Sequence, residues 1–398
     1  MTDYEQLGLF YLGRIVDATA GTLTGAPLLY DSAHLTTHAV ILGMTGSGKT
    51  GLGVVLIEEA ALDGLPALVI DPKGDLGNLL LQFPRMTPDD VRPWVDAAEA
   101  ARQGLAPDAM ASRLAEQWRR GLEEWSQPLD RIARLREAAE FRIYTPGSTA
   151  GRPLAMLRSL DPPNVSDDDP TRFRDRVTAA AASLLSWAGV DADPVQSREH
   201  ILVSAILAEA WQQGRSVDLP SLIGSIQKPP FDRIGVFDLE TFFPAAARLE
   251  LALRLNHLLA APGFAAWLEG DPLDVQRLLY SPEGRPRVSV VSLAHLSEAE
   301  RMMVTTLLLG EVVAWMRAQP GTSALRAVLY MDEVFGFFPP TASPPSKPPM
   351  LTLLKQARAA GLGVVLVTQN PVDLDYKGLG NAGTWMIGRL QTERDKAR

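Results

Sequence analysis

Four short runs, 38–42, 67–70, 327–331 and 363–368, are apolar at nearly every position, and a fifth, 287–293, is Val-rich with Arg287, Ser289 and Ser292 among its apolar residues. The first four show no alternation with polar residues, so they read as strands buried on both faces, the pattern of a parallel sheet, and the fifth reads as a further strand. Helical patterns lie between several of them, which supplies crossovers and predicts an α/β fold. The clearest follows 287–293. Ser297 with Glu300 makes a capping box, apolar residues recur at Met303, Leu307, Leu308 and Val312, and Pro320 closes the helix. A last strand fits 384–390, and the runs 9–16 and 28–30 suit two strands near the N-terminus.

Roughly two hundred residues separate the second and third core runs, far more than a crossover needs. Within them Thr87 caps a helix with Pro88 at its first position. Helical patterns follow at 107–125 and 128–140, then a short strand at 141–144 and a Pro/Asp-rich linker at 161–170. From 171 to 276 the pattern is helical, broken near Gly189, Gly214 and Pro229. Trp187, Trp211 and Trp267 fall among aliphatic residues and read as core rather than as base-stacking platforms. The expected division is a short β segment at 1–34, a core built from 35–83 and 287–398, and a mainly helical insertion at 84–286.

With 398 residues, 46% hydrophobic and 21% charged, the chain has the composition of a globular protein of two or three units. The net charge of −9 lacks the basic footprint of a chain-wide nucleic-acid binder. Contact with DNA needs a local patch, or one built on assembly. The absence of cysteine excludes disulfides and thiolate metal sites and fits a reducing, cytoplasmic setting. No run reaches the roughly 18 apolar residues of a membrane span, and the acidic N-terminus is unlike a secretory signal.

Candidate chemistry begins at residues 43–50, Gly-Met-Thr-Gly-Ser-Gly-Lys-Thr, between an apolar run and a helical pattern at 51–62. This is a phosphate-binding loop, in which glycines let backbone amides and a helix N-terminus wrap an anion. Lys49 reaches the β- and γ-phosphates and the Thr50 hydroxyl ligates Mg²⁺. Asp332 and Glu333 end the run 327–331, at the edge where open α/β sheets bind ligands. Asp332 suits the Mg²⁺ shell and Glu333 suits polarising a water. Gln369 ends 363–368 and can orient that water or sense the γ-phosphate. At the tip of 67–70, Asp71 can support the metal's water shell or bond Thr50, and Lys73 can contact phosphate or pair with Asp75. No Asn-Lys-x-Asp guanine-reading motif is present, which favours ATP over GTP. The five histidines are scattered, so no metal beyond Mg²⁺ is assigned.

Together these segments resemble the HerA/FtsK superfamily of hexameric P-loop pumping ATPases, and best of all HerA-like bacterial ATP-binding proteins. The resemblance is carried by residues 35–40 with 43–50, by 70–75, 331–333, 356–363 and 368–371, and by 381–398. It implies a RecA-like core, ATP hydrolysis with Mg²⁺, ring assembly and movement of a polymer, usually DNA. The site then comprises Gly43, Thr45, Gly46, Ser47, Gly48, Lys49, Thr50 and Gly51 around the nucleotide, with Thr50 and Asp332 on Mg²⁺. Lys49, Glu333 and Gln369 are catalytic. Ring ATPases commonly add an arginine from the adjacent subunit; Arg358 is the first candidate and Arg389 the second. Archaeal-type HerA proteins also carry a small N-terminal barrel, for which the first 30 residues are too short. The charged helical start at 391–398 has no stop signal, and relatives usually continue, so the chain reads as truncated there.

The Pro-rich stretch 339–349 excludes helix and central strand and suits an exposed loop facing a neighbour or a pore, or a plain surface connector. Its Lys347, and Lys377 beside Tyr376, are candidates for phosphate-backbone contact. The expectation is an ATP-hydrolysing motor subunit of a homo-oligomeric, hexameric ring that translocates or unwinds double-stranded DNA. The alternative is a secretion-type or partner-regulating ATPase, for example one gating a nuclease, which the acidic charge favours slightly.

Overall fold

The computed structural model describes residues 6–156, 162, 170–190, 192–193, 195–261 and 263–390. The chain opens with a hairpin in which β1 (Leu9–Asp17) runs antiparallel to β2 (Thr22–Asp31). The main sheet then collects β3 (Ala39–Leu42), β4 (Ala67–Asp71), β5 (Glu140–Tyr144), β6 (Arg287–Ser292), β7 (Ala327–Met331), β8 (Leu362–Thr368) and β9 (Thr384–Ile387). Their order is β9-β3-β8-β7-β4-β6-β5, with every pair parallel.

Alternate strand residues feed two cores, as a sheet covered on both faces requires. On one face Ala39, Ile41, Val69 and Val365 pack with Leu56 and Ile57 of α1 (Lys49–Leu62) and with Phe10 of β1. The same face takes Leu135 of α3 (Asp130–Ala138), which follows α2 (Pro107–Glu124). On the other face Val40, Leu42, Leu329 and Val364 join a larger cluster. It draws on α4 (Pro170–Trp187), α5 (Arg198–Gln212), α6 (Leu219–Gln227), α7 (Ala245–Ala260), α8 (Glu298–Ala318) and α9 (Lys347–Gln356). The inserted helices thus share one apolar core with the sheet. Trp211 and Trp267 are buried in it, and Trp187 lies 6.2 Å from Phe264 and 5.2 Å from Trp267 between ring centres.

Two expectations are corrected. The strand assigned to the insertion at 141–144 is the edge strand of the main sheet, hydrogen-bonded to β6. The Pro-rich stretch 339–349 is not free of helix, since α9 begins at Lys347 and holds Pro348 and Pro349 in its first turn. Amides there lack helical partners anyway, so proline costs little. The linker at 161–170 apart from Pro162 and Pro170, and the end at 391–398, lie outside the described residues.

Candidate active site

β3 delivers the chain to residues 43–48, and α1 starts at Lys49. Gly48, with φ of 90°, caps α1 in the left-handed region, which L side chains rarely adopt. At Gly43 a Cβ would lie 2.3 Å from Ser47 Oγ, so only glycine permits this curl. The amide of Met44 donates to the Arg389 carbonyl at 2.7 Å, tying the loop to the segment after β9. First-turn amides of α1 have no partners within the helix and form an anion cradle. Lys49 Nζ folds back to donate to the Met44 carbonyl at 3.0 Å, and burial holds its pKa below the usual lysine range.

Three further strands bring their C-terminal ends beside this loop. Thr45 Oγ1 donates to Gln369 Oε1 at 2.8 Å, and Gln369 Nε2 donates to Glu333 Oε2 at 2.8 Å. The same Glu333 oxygen pairs with Lys73 Nζ. The residues of this relay follow β3, β8, β7 and β4, four strands adjacent in that order. Glu333 has φ of 46°, unusual for a residue with a Cβ. Its neighbours explain the turn. Asp332 N donates to Ile70 O of β4 at 3.0 Å and Val334 N to Val367 O of β8 at 2.9 Å, so the backbone switches partner strands at Glu333.

Asp332 is buried beside these groups. Burial, then the charges of Asp71, Glu333 and Asp75, push its pKa up to about 6. Such crowding of carboxylates favours a cation. Among the described residues no group of three His, Cys, Asp or Glu side chains is placed to hold a metal. A Mg²⁺ ion beside Asp332 and Thr50 would therefore take most ligands from phosphate oxygens and water, as Mg²⁺ does in phosphoryl-transfer sites. Asp71, expected to support that shell or bond Thr50, is engaged by its own turn. Its carboxylate accepts from the amides of Gly74, Asp75 and Leu76 at 2.7, 3.2 and 2.9 Å and fixes the turn after β4. Lys73, expected on phosphate or on Asp75, pairs with Glu333 rather than with Asp75.

Residues 10–125 match the family model described as "Helicase HerA, central domain". Among solved structures, the unbound bacterial conjugative coupling protein TrwBdeltaN70 is similar at 15% identity and a TM-score of 0.50, over 93% of this chain and 70% of that one. VirB4 of Thermoanaerobacter pseudethanolicus is similar at 12% identity and a TM-score of 0.51, over 100% of this chain and 88% of that one. The likeness shows the fold: a parallel sheet flanked by helices, of the RecA-like P-loop type. No curated protein matches it in sequence.

Arg358 stands exposed in the short helical turn before β8. The seven residues of β8 put it roughly 20 Å from the Gln369 edge, so it is not part of its own chain's site. Arg389 is exposed beside its own phosphate loop. Lys347 is corrected from an exposed contact to a buried clamp. Its Nζ lies 2.8 Å from Asp375 Oδ2 and donates to the carbonyls of Pro339, Pro340 and Ala342 at 2.6, 3.3 and 3.0 Å. Tyr376 is half exposed, and the Lys377 side chain lies outside the described residues.

Proposed function

We propose that the chain is the ATP-hydrolysing subunit of a hexameric ring motor that moves along double-stranded DNA. The observation carrying this reading is the meeting of the 43–50 loop, Gln369 and the Asp332–Glu333 pair along three adjacent strand ends, those of β3, β8 and β7, at the edge where α/β sheets bind ligands. The loop amides and Lys49 hold the phosphates. Thr50 and Asp332 would hold a Mg²⁺ ion, which would supply positive charge to offset that of the phosphates. Glu333 accepts a proton from the attacking water, and Gln369, already bonded to Glu333, orients that water. Arg358, out of reach of its own site, enters the neighbouring subunit's site as the finger. A cytoplasmic setting belongs to the same proposal; no helix among the described residues is long and apolar enough to cross a membrane.

One observation favours a second reading, an ATPase that regulates or moves a protein partner such as a nuclease. Lys347, offered by the sequence as a DNA-backbone cation, is buried and paired, and the net charge is −9. ATPase rate with and without double-stranded DNA, on protein sized for its oligomeric state, separates the two. Salt-sensitive stimulation by DNA in a hexamer supports the motor. A hexamer whose rate ignores DNA supports the partner-regulating reading.

A further inference from the structure

Lys73 belongs to the relay, yet the hydrolytic scheme gives it nothing to do. The turn that carries it is fixed. Asp71 binds three of its amides, and Gly74, with φ of 83°, packs so that a Cβ would lie 3.0 Å from the Ala294 Cβ. The side chain itself is 42% exposed, on a long flexible stem. Its ammonium sits on Glu333 Oε2, which also accepts from Gln369. Glu333 Oε2 is therefore doubly engaged. Lys49 feels the charges of Glu333, Asp332 and Lys73, so both ammonium groups border the same space.

We propose that Lys73 senses the terminal phosphate: it restrains Glu333 until a triphosphate is seated and then changes partner to that phosphate. The proposal rests on the reading of this site as one for Mg-ATP. A terminal phosphate offers three acceptor oxygens and more negative charge than a carboxylate, so it draws the ammonium away. Glu333 is then released to take the proton of water. A diphosphate lacks that group and leaves the Lys73–Glu333 pair closed. No bond is made or broken in the switch. Lys73 acts as a positioning residue through Glu333, and it makes hydrolysis conditional on a complete triphosphate.

The test is binding rather than turnover. Fluorescent ADP and a fluorescent non-hydrolysable ATP analogue are titrated with Mg²⁺ into full-length wild type, Lys73→Met, Lys73→Arg, Glu333→Gln and the Lys73→Met/Glu333→Gln double variant. Lys73→Met is expected to weaken the triphosphate about 10-fold or more, the worth of a charge-assisted hydrogen bond. ADP binding should stay within about 2-fold. Lys73→Arg should restore part of the loss. Glu333→Gln should tighten the triphosphate by freeing Lys73, and this gain should vanish in the double variant. Equal weakening of both nucleotides with no rescue by arginine marks a structural lysine and overturns the proposal. If Lys73→Met fails to fold, an unchanged triphosphate preference in Glu333→Gln still overturns it. Wild type that binds neither nucleotide overturns the Mg-ATP reading, and this proposal with it.

Discussion

Lys73 and Glu333 stand 260 positions apart in the chain and form an ion pair at the carboxyl edge of the sheet. Neighbouring strands bring them together: β4 carries one, β7 the other, and the two strands are paired in register from Val328 opposite Ala67. The proposed base is thus charge-paired. Its left-handed backbone stores strain of roughly 1–3 kcal/mol, a common feature of working sites.

Lys49 donates to its own loop, at the Met44 carbonyl. Lys49→Ala is expected to leave thermal unfolding nearly unchanged and to weaken Mg-ATP binding about 10-fold or more. Calorimetric titration beside a melting curve checks both halves.

Asp332 sets a pH dependence with a definite sign. Its folded pKa, about 6, lies above its ordinary value of 3.8, so the folded state holds more protons between those values. Stability contributed by this group is present below about pH 4 and lost as pH rises through 6. Asp332→Asn should raise the melting temperature at pH 8 and leave it unchanged at pH 4. Mg-nucleotide binding needs the carboxylate, so in wild type it should weaken as pH falls below 6. Melting and titration across pH 5–8 measure the two slopes.

Lys347 clips the segment after β7 to the turn after β8 through Asp375 and three carbonyls. Lys347→Met leaves the Asp375 carboxylate buried without its cation and should cost about 3–5 kcal/mol in urea denaturation. Adding Asp375→Leu should recover part of that loss.

Gly53 of α1 lies against Tyr330 of β7, and a Cβ there would come within 2.0 Å of the tyrosine oxygen. Gly53→Ala should therefore destabilise by about 1–3 kcal/mol, despite the better helix propensity of alanine. The same denaturation assay reads this.

The strands were legible because burial on both faces leaves unbroken apolar runs: 327–331 was read to the residue, and 38–42, 67–70 and 363–368 to within one. The Thr87 cap and the Ser297 capping box were equally plain, while the reciprocal Asp90 contact at Thr87 was not read. The edge strand at 140–144 was visible as a strand but not as part of the sheet, because a run of residues does not say which neighbour completes its hydrogen bonds. The 43–50 loop and the Asp332–Glu333 pair declare themselves by local spacing. Lys73 on Glu333 and Lys347 on Asp375 do not. Both depend on strand order and on the path of a loop, and a lysine in a Pro/Gly-rich stretch looks alike whether it is solvated or caged. The left-handed backbone at Glu333 has no sequence signal at all.

The central claim is that Glu333 activates water at a Mg-ATP site built from these strand ends. Phosphate release from Mg-ATP by wild type and Glu333→Gln, with nucleotide binding measured in parallel, tests it most directly. The account predicts a rate lower by about 10²- to 10⁴-fold in the variant, with the triphosphate still bound. An unchanged rate in Glu333→Gln, or no hydrolysis by the wild-type protein, would contradict it.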